Sequence, residues 1–177
     1  ALPSTSSWEV TTIFKSTDGG VNWSATGATP SFTSGQAWYC MAVAVDPNNA
    51  NNVIVGSLDC YKTTNGGTSW TKISNWVGTT GQYVHADQQI ITGRNNNVGW
   101  FGSDGGIHYS ANGGTTITDR NVGLRLKQFY SVAIHPTSTN YFLAGAQDNG
   151  THQLNGAGLT TSVEVTGGDG AWTKIDQ

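Results

Sequence analysis

The stretch Ser16–Trp23 has the sequence STDGGVNW, and it is the first of three copies of one eight-residue pattern. The second copy is Thr63–Trp70, TTNGGTSW, and the third is Ser110–Ile117, SANGGTTI, so the copies recur at a fixed step of 47 residues. A period of about 40–50 residues with short strand-like flanks is typical of propeller blades. The spacing therefore predicts an all-β propeller fold with four-stranded blades.

Each copy predicts a tight hairpin turn. An Asp or Asn at the third position can accept hydrogen bonds from backbone amides two residues on. The Gly pair that follows supplies the positive φ angles that such a turn needs, and the closing Trp is expected to pack under the turn. We interpret the pattern as structural, because it is repeated and because two of its three copies lack a carboxylate. The structural turn residues are Asp18, Asn65, Asn112, Trp23 and Trp70.

The pattern resembles the Asp-box, Ser-x-Asp-x-Gly-x-Thr-Trp, of sialidases, sortilin-type receptors, family 74 glycoside hydrolases and many secreted bacterial propellers. The segments 84–89, 101–107, 145–150 and 167–170, VHADQQ, FGSDGGI, GAQDNG and GGDG, further resemble a group of secreted Bacteroidota propellers. Members of that group often carry a sorting domain for type 9 secretion. Gln89 stands where the group has a second His, and Ser103 where it has Asn.

The composition excludes two classes of partner. The chain has 177 residues, of which only 11% are charged, and a net charge of −3 with no basic patch. Nucleic acid is therefore not an expected partner. No apolar run approaches the roughly 20 residues of a membrane span. A low-charge surface rich in Gly, Asn, Ser and Thr indicates a secreted or cell-surface protein.

The chain is expected to form a single propeller segment over residues 1–177 with about four blades. Two full blades are predicted at 36–75 and 83–120, and another from 128 to 165. The stretch 8–24 predicts the outer part of a blade, and 171–176 predicts the inner strand of yet another. Both ends thus fall in mid-blade, which favours a fragment whose open edges are covered by the remaining blades of a larger propeller. A four-bladed ring closed by its two ends is the alternative.

Cys40 and Cys60 are the two cysteines of the chain. If the turn at 46–51 joins two strands as a hairpin, pairing Val45 with Val53 brings the cysteines close together. A disulfide is then predicted, and it suits an oxidising compartment. Two buried free thiols are the alternative.

Propellers generally bind ligands on the channel face, and the turns after the second strands and the entries to the inner strands should lie there. These turns carry carboxylates, one His, one Gln and several aromatic rings. The predicted ligand-binding residues are His85, Asp87, Asp59, Gln128, Trp38, Phe129 and Trp172.

Two functions follow from this face. The first is binding of a glycan or an extracellular protein. The second is glycoside hydrolysis by an inverting acid and base, which needs two carboxylates about 6.5–9.5 Å apart. The resemblance to family 74 implies an Asp pair, and the candidates are Asp104, Asp148 and Asp169.

No cofactor is predicted, although Ca²⁺ is a possibility at one point of the face. His85 and Asp87 lie two residues apart on a predicted strand, so both should point to one side, where Asp104 could complete an oxygen-rich site. The alternative is that His85 hydrogen-bonds Asp104 or a backbone carbonyl and only stiffens the rim.

Overall fold

The computed structural model describes residues 2–3, 8–78, 80–94, 98–124, 126–156 and 162–176. These residues form two compact units, Ala1–Val122 and Gly123–Gln177. Strands are the only regular elements in the described residues. They are β1 Leu2–Pro3, β2 Val10–Thr12, β3 Phe14–Lys15, β4 Ser24–Ala25, β5 Ala42–Asp46, β6 Asn49–Gly56, β7 Cys60–Thr63, β8 Thr71–Lys72, β9 Gln88–Arg94, β10 Val98–Ser103, β11 Gly106–Ser110, β12 Thr118–Asp119, β13 Ser131–His135, β14 Ser138–Gly145, β15 Thr151–Asn155 and β16 Val163–Thr166.

The strands form three four-stranded antiparallel sheets, β5–β8, β9–β12 and β13–β16. In each sheet every strand pairs with the next one along the chain, which is the order of a propeller blade. Two-stranded ribbons, β1 with β2 and β3 with β4, precede them. The predicted fold class, all-β with four-stranded propeller blades, is confirmed.

Strand β5, the first strand of the β5–β8 sheet, shows how the sequence sets the register. Val45 pairs with Val53, as predicted. Successive side chains of a strand point to opposite faces, so Ala42 is buried whereas Val43 and Val45 are 64% and 51% exposed.

The core of the unit Ala1–Val122 lies between neighbouring sheets. One cluster joins β5–β8 to β9–β12, and its buried members are Ala42, Cys60, Val84, Ile91, Phe101 and Ile117. A second cluster joins β5–β8 to the residues before it through Val10, Phe32, Ala37 and Val55. Phe101 has no exposed surface, and complete burial of such a side chain contributes about 1.5–3 kcal/mol.

The three repeated turns share one hydrogen-bond pattern. In the first, Gly20 N donates to Ser16 Oγ over 2.8 Å, and Asn22 N donates to Asp18 Oδ1 over 2.9 Å. The accepting carboxylate thus bonds an amide four residues on, rather than two as predicted. The predicted positive φ is confirmed at both glycines, +74° at Gly19 and +91° at Gly20.

The other two turns repeat these bonds with Asn in place of Asp. Ser69 N donates to Asn65 Oδ1 over 3.0 Å, and Thr116 N donates to Asn112 Oδ1 over 2.7 Å. The hydroxyl at the first position again accepts a hydrogen bond from the amide of the second Gly. Gly67 N donates to Thr63 Oγ1, and Gly114 N donates to Ser110 Oγ. An amide oxygen therefore replaces the carboxylate without a change in the turn.

The closing Trp residues differ in their burial. Trp70 is half-buried, packs against the second core cluster, and donates its Nε1–H to Ala28 O over 3.1 Å. The prediction that the closing Trp packs under the turn is wrong for Trp23, which is 63% exposed. Its indole bonds only locally, to Gly20 O over 3.0 Å.

The predicted disulfide is absent, because Cys40 and Cys60 are both free and buried. The residues 57–59 turn the chain after β6, so Cys60 begins β7 and pairs with Gly56. Strand β6 therefore lies between β7 and β5, and Cys40 precedes β5. Strands two apart in a sheet are separated by about 9–10 Å, beyond the roughly 4.4–6.8 Å Cα separation of a disulfide.

The predicted strand at 171–176 is also not formed. This segment instead bonds to the start of β13 through one side chain. Thr173 N donates to Ser131 Oγ over 2.7 Å, and Ser131 Oγ donates to Ala171 O over 2.9 Å. Since these bonds use a hydroxyl rather than consecutive backbone groups, no strand ladder develops.

The described part of the chain contains no helix that is long and apolar enough to cross a membrane.

Candidate functional site

An exposed aromatic pair lies just before β5. Trp38 is 64% exposed and Tyr39 is 46% exposed, and their ring centroids are 5.5 Å apart with the planes tilted by 47°. A turn that begins at Gln36 holds this segment, because Tyr39 N donates to Gln36 O over 2.9 Å. The two rings therefore project from a fixed turn rather than from a strand.

The aromatic pair is tied to a carboxylate on the next sheet. Tyr39 Oη donates to Asp104 Oδ2 over 2.8 Å, and Gln89 Nε2 donates to Asp104 Oδ1 over 3.1 Å. Asp104 lies in the turn between β10 and β11, and both of its oxygens thus accept a hydrogen bond. We name Trp38, Tyr39, Gln89 and Asp104 the aromatic rim.

The carboxylate of Asp104 makes the hydroxyl of Tyr39 a weaker acid. The hydrogen bond to Asp104, together with partial burial, raises the pKa of Tyr39 to about 12. A phenolate beside a carboxylate would repel it, so the neutral phenol is favoured. At neutral pH the rim therefore presents the neutral hydroxyl of Tyr39 beside an amide, a carboxyl group and two rings.

Asp87 lies beside this rim, in contact with the buried thiol of Cys40. Cys40 Sγ is 3.3 Å from Asp87 Oδ1 and 3.1 Å from Ser57 Oγ. Burial raises the pKa of the Cys40 thiol to about 12. Because the thiolate is the reactive form of cysteine, the raised pKa disfavours Cys40 as a nucleophile at neutral pH.

His85 and Asp87 do not lie on a strand, contrary to the prediction. Both precede β9, which begins at Gln88, and Asp87 has a φ of +64° that breaks the extended alternation. His85 Nδ1 is 3.1 Å from Ala86 O, so it contacts a backbone carbonyl, one of the two structural partners considered for it. Its ring also fills the space over Gly105, where an added Cβ would lie 2.1 Å from His85 Cγ. Calcium binding by His85, Asp87 and Asp104 stays a prediction.

Asp59 has structural partners. Its Oδ2 lies 2.8 Å from Lys72 Nζ, and its Oδ1 accepts the backbone amide of Trp76 over 3.1 Å. Asp59 is only 8% exposed. Its carboxylate therefore fastens the end of β8 and the loop that follows it.

In the unit Gly123–Gln177, two of the candidate residues, Asp148 and Asp169, are hydrogen-bonded to each other at neighbouring turns. Asp148 N donates to Asp169 Oδ1 over 3.1 Å, and Asp148 itself has a φ of +56°. Gly150 N donates to Gly168 O over 2.9 Å beside them. Asp169 thus stabilises the turn of Asp148, as turn carboxylates often do.

The remaining candidates of this unit are exposed side chains. Gln128 is exposed, Phe129 is 37% exposed and Trp172 is 85% exposed. The ring of Phe129 meets the edge of His152 at a centroid distance of 6.3 Å. His152 is buried, and its ring nitrogens contact Lys127 Nζ and Ser162 Oγ.

The sequence pattern did not single out several polar residues of the unit Ala1–Val122. Tyr39 and Gln89 complete the aromatic rim, Gln82 bridges two sheets, and His108 is a buried histidine. Tyr39 follows Trp38 directly, and Gln89 stands at a position where the resembling proteins have His. The sequence carries those two signals, whereas the hydrogen bonds of Gln82 and the burial of His108 depend on how the sheets pack.

No protein-family model matches the chain, and no curated protein matches it either. Solved structures do match. A structure of YCF48 bound to D1 peptide has a TM-score of 0.43 and 16% identity, over 86% of this chain and 47% of that one. A GH74 enzyme of Niastella koreensis has a TM-score of 0.40 and 20% identity, over 77% of this chain and 24% of that one.

An ancestral GH74 enzyme has a TM-score of 0.35 and 23% identity, over 73% of this chain and 18% of that one. The chain thus spans less than half the length of each of these three proteins.

Proposed function

We propose that this chain is the ligand-binding part of a secreted or cell-surface propeller and that it binds carbohydrate at the aromatic rim. Residues of both the β5–β8 and the β9–β12 sheets or their flanking turns form the rim. The proposal rests on one observation. An exposed Trp lies beside a Tyr whose hydroxyl is fixed by a carboxylate.

Sugar rings present two kinds of surface, and the rim offers a complement to each. An apolar C–H face can stack on an exposed aromatic ring, and Trp38 provides such a ring at 64% exposure. The hydroxyls at the edge of a sugar need donors and acceptors. A carboxylate offers about four lone-pair sites, so Asp104 keeps acceptor capacity after bonding Tyr39 and Gln89.

Preorganisation favours this rim over the other exposed aromatic residues. Tyr39 Oη and Gln89 Nε2 hold Asp104 from two sides, so the acceptor is fixed before a ligand arrives. Fixing polar groups in advance lowers the entropy that binding must offset. Trp23 is exposed to a nearly equal extent, 63%, but its indole bonds only to its own turn.

The experiment is affinity electrophoresis and isothermal titration calorimetry with a panel of soluble polysaccharides and their oligosaccharides. We expect W38A to lose at least tenfold in affinity for whichever glycan binds, which corresponds to about 1.4 kcal/mol. W23A is the matched control, because it removes an equally exposed Trp outside the rim. Equal binding by W38A and the unmodified chain would reject the rim as the binding site.

The same samples test the hydrolase function. Reducing-end release by the unmodified chain, lost in D104N or in D169N, would make this chain a glycoside hydrolase instead of a binding protein. Binding without release by the unmodified chain supports the proposal.

A further inference from the structure

A cavity of the unit Ala1–Val122 is separate from the aromatic rim, because no residue of the rim lines it. It has a volume of about 610 Å³ and runs between the β5–β8 and β9–β12 sheets. Its walls are Lys62, Thr64 and Ser69 with residues 71–75, the connection 80–82, and the third repeated turn at 113–115. We name it the β8 groove. Its volume falls within the roughly 300–1,000 Å³ of ligand sites.

One wall of the β8 groove is the open edge of a sheet. Strand β8, Thr71–Lys72, is the outermost strand of its sheet, and both residues are exposed. Ile73 N donates to Cys60 O on β7 over 2.8 Å. Since the backbone groups of successive residues in a strand point to opposite edges, the N–H and C=O of Lys72 face the groove. Such an edge can accept one further strand.

The inner end of the β8 groove is held by one side chain. Gln82 Nε2 donates to Ile73 O over 3.1 Å and to Gly114 O over 3.0 Å, while Gln82 Oε1 accepts Ile117 N over 2.5 Å. This amide joins the end of β8 to the neighbouring turn. These bonds tie the wall at Ile73 to the wall formed by the third repeated turn.

Two lysines line the β8 groove and give it positive charge. Among its described lining residues there is no Asp or Glu, although Lys62 and Lys72 are both present in a chain of net charge −3. The one ion pair in the described residues joins Lys72 to Asp59. Lys62 has an electrostatic neighbour of its own, because its charge helps to lower the pKa of Asp46. Neither Asp46 nor Asp59 lines the groove, so the two lysines are the charged side chains that a ligand would meet there. Hydroxyls and amides make up most of the remaining side chains.

The lining also argues against a sugar as the occupant. Among the described residues no aromatic ring lines the β8 groove, and Ile73 is its only large apolar side chain. A sugar ring therefore finds no aromatic ring to stack on, whereas an extended peptide finds an unpaired strand edge. Main-chain hydrogen bonds to a sheet edge are the basis of peptide recognition by strand addition.

We propose that the β8 groove binds an extended acidic peptide segment of a partner protein. The segment adds to β8 as a fifth strand, pairing its backbone with the N–H and C=O of Lys72. Its acidic side chains lie toward Lys62, and the hydroxyls of the groove bond the rest. This site is independent of the carbohydrate site, because none of the residues that line the groove belongs to the aromatic rim.

The test is fluorescence anisotropy with a labelled eight-residue peptide of alternating Glu and Thr. A peptide of alternating Lys and Thr is the charge control, and the acidic peptide N-methylated at alternate residues is the backbone control. We expect the acidic peptide to bind and the basic one not to bind. N-methylation should abolish binding, because it removes the backbone donors of one edge of the added strand.

The protein variants are K62E, the milder K62Q, and K174E as a matched control on the other unit. We expect K62E to weaken binding of the acidic peptide at least tenfold, K62Q by less, and K174E not at all. Circular dichroism shows whether each variant is folded. Failure of the acidic peptide to bind, or unchanged binding after N-methylation, would overturn the proposal. Unchanged binding by K62E, or tighter binding of polygalacturonate than of the peptide, would do the same.

Discussion

Tyr39 Oη donates a 2.8 Å hydrogen bond to Asp104 Oδ2 across 65 residues of sequence and from one sheet to the next. This bond fixes the edge of the aromatic rim. It also couples the stability of the protein to alkaline pH, because it raises the pKa of Tyr39 to about 12 from the ordinary 10.0.

The first prediction concerns this bond. A raised folded-state pKa contributes stability that is fully present below the unfolded value of 10.0 and is lost as the pH rises through about 12. We expect Y39F to lower the free energy of unfolding by about 0.5–1 kcal/mol at neutral pH, a small amount because the pair is exposed. Urea denaturation at pH 7 and pH 11 measures the difference, which should shrink at the higher pH. An equal difference at both pH values would show that Y39F acts through packing instead.

The second prediction concerns His108, which is 2% exposed and whose two ring nitrogens have no hydrogen-bond partner within the described residues. Burial lowers its pKa below 6.5, an effect that Asp119 opposes and His85 reinforces. Because the pKa of His108 is lower in the folded chain than in the unfolded one, the unfolded chain binds more protons as the pH falls. The His108 contribution to stability is therefore lost as the pH falls below 6.5, with a slope of at most about 1.4 kcal/mol per pH unit.

Replacing His108 with Phe should flatten this acid slope. H108F also removes two unpaired buried nitrogens beside the ring of Tyr83, which lies 6.4 Å away, so we expect little loss of stability at neutral pH. Thermal unfolding between pH 5 and pH 7.5 measures both effects. H135F is the control, since His135 lies on β13 and is only half-buried. The same acid slope in H108F and the unmodified chain would contradict the prediction.

The repeated turns are predictable because they depend on residues that are close in sequence. The aromatic rim is not predictable in this way, because its contacts depend on the packing of two sheets. A Gly pair after Asp or Asn specifies its turn within eight residues, and all three copies fold alike. The contact between Tyr39 and Asp104 depends instead on how one sheet stacks on the next. Sequence periodicity carries no information about that stacking, so Asp104 was predicted without its partner.

The disulfide prediction fails because the register of one strand pair does not fix the distance between residues that flank it. The pairing of Val45 with Val53 was correct, but the position of the next turn decides which strand holds Cys60. The turn falls at 57–59, which moves Cys60 to the third strand of the sheet. The error at Asp87 has a similar origin, because a φ of +64° at a non-glycine residue is not evident from residue types.

The third prediction tests the free thiols. Cys60 has no exposed surface, and burial raises the pKa of its thiol to about 12, the same direction and value as for Cys40. We expect the folded, unreduced protein to react very slowly with Ellman's reagent. In denaturant without reductant it should titrate as two thiols. Absence of thiols until a reductant is added would show that the two cysteines are bonded after all.

The fourth prediction tests the repeated turn as a structural element. N65A removes the acceptor of Ser69 N and should lower the free energy of unfolding by roughly 1 kcal/mol. N65D is the matched control, because Asp18 accepts the equivalent amide in the first turn over 2.9 Å. We expect N65D to be nearly as stable as the unmodified chain in urea denaturation. If N65D were as unstable as N65A, the interchangeability of the two side chains in this turn would be wrong.

The fifth prediction concerns Gln82, whose amide makes three hydrogen bonds between the β5–β8 and β9–β12 sheets. Q82A leaves the buried amide of Ile117 and two carbonyls without that partner, and we expect a loss of about 2–3 kcal/mol. Q82E keeps an acceptor for Ile117 N but places a carboxylate against the carbonyls of Ile73 and Gly114, so it should be no more stable than Q82A. Hydrogen exchange should show faster exchange of the Ile117 amide in Q82A, while the Ile91 amide in the core of β9 stays protected. Equal exchange at Ile117 in Q82A and the unmodified chain would mean that the two sheets are held together without this side chain.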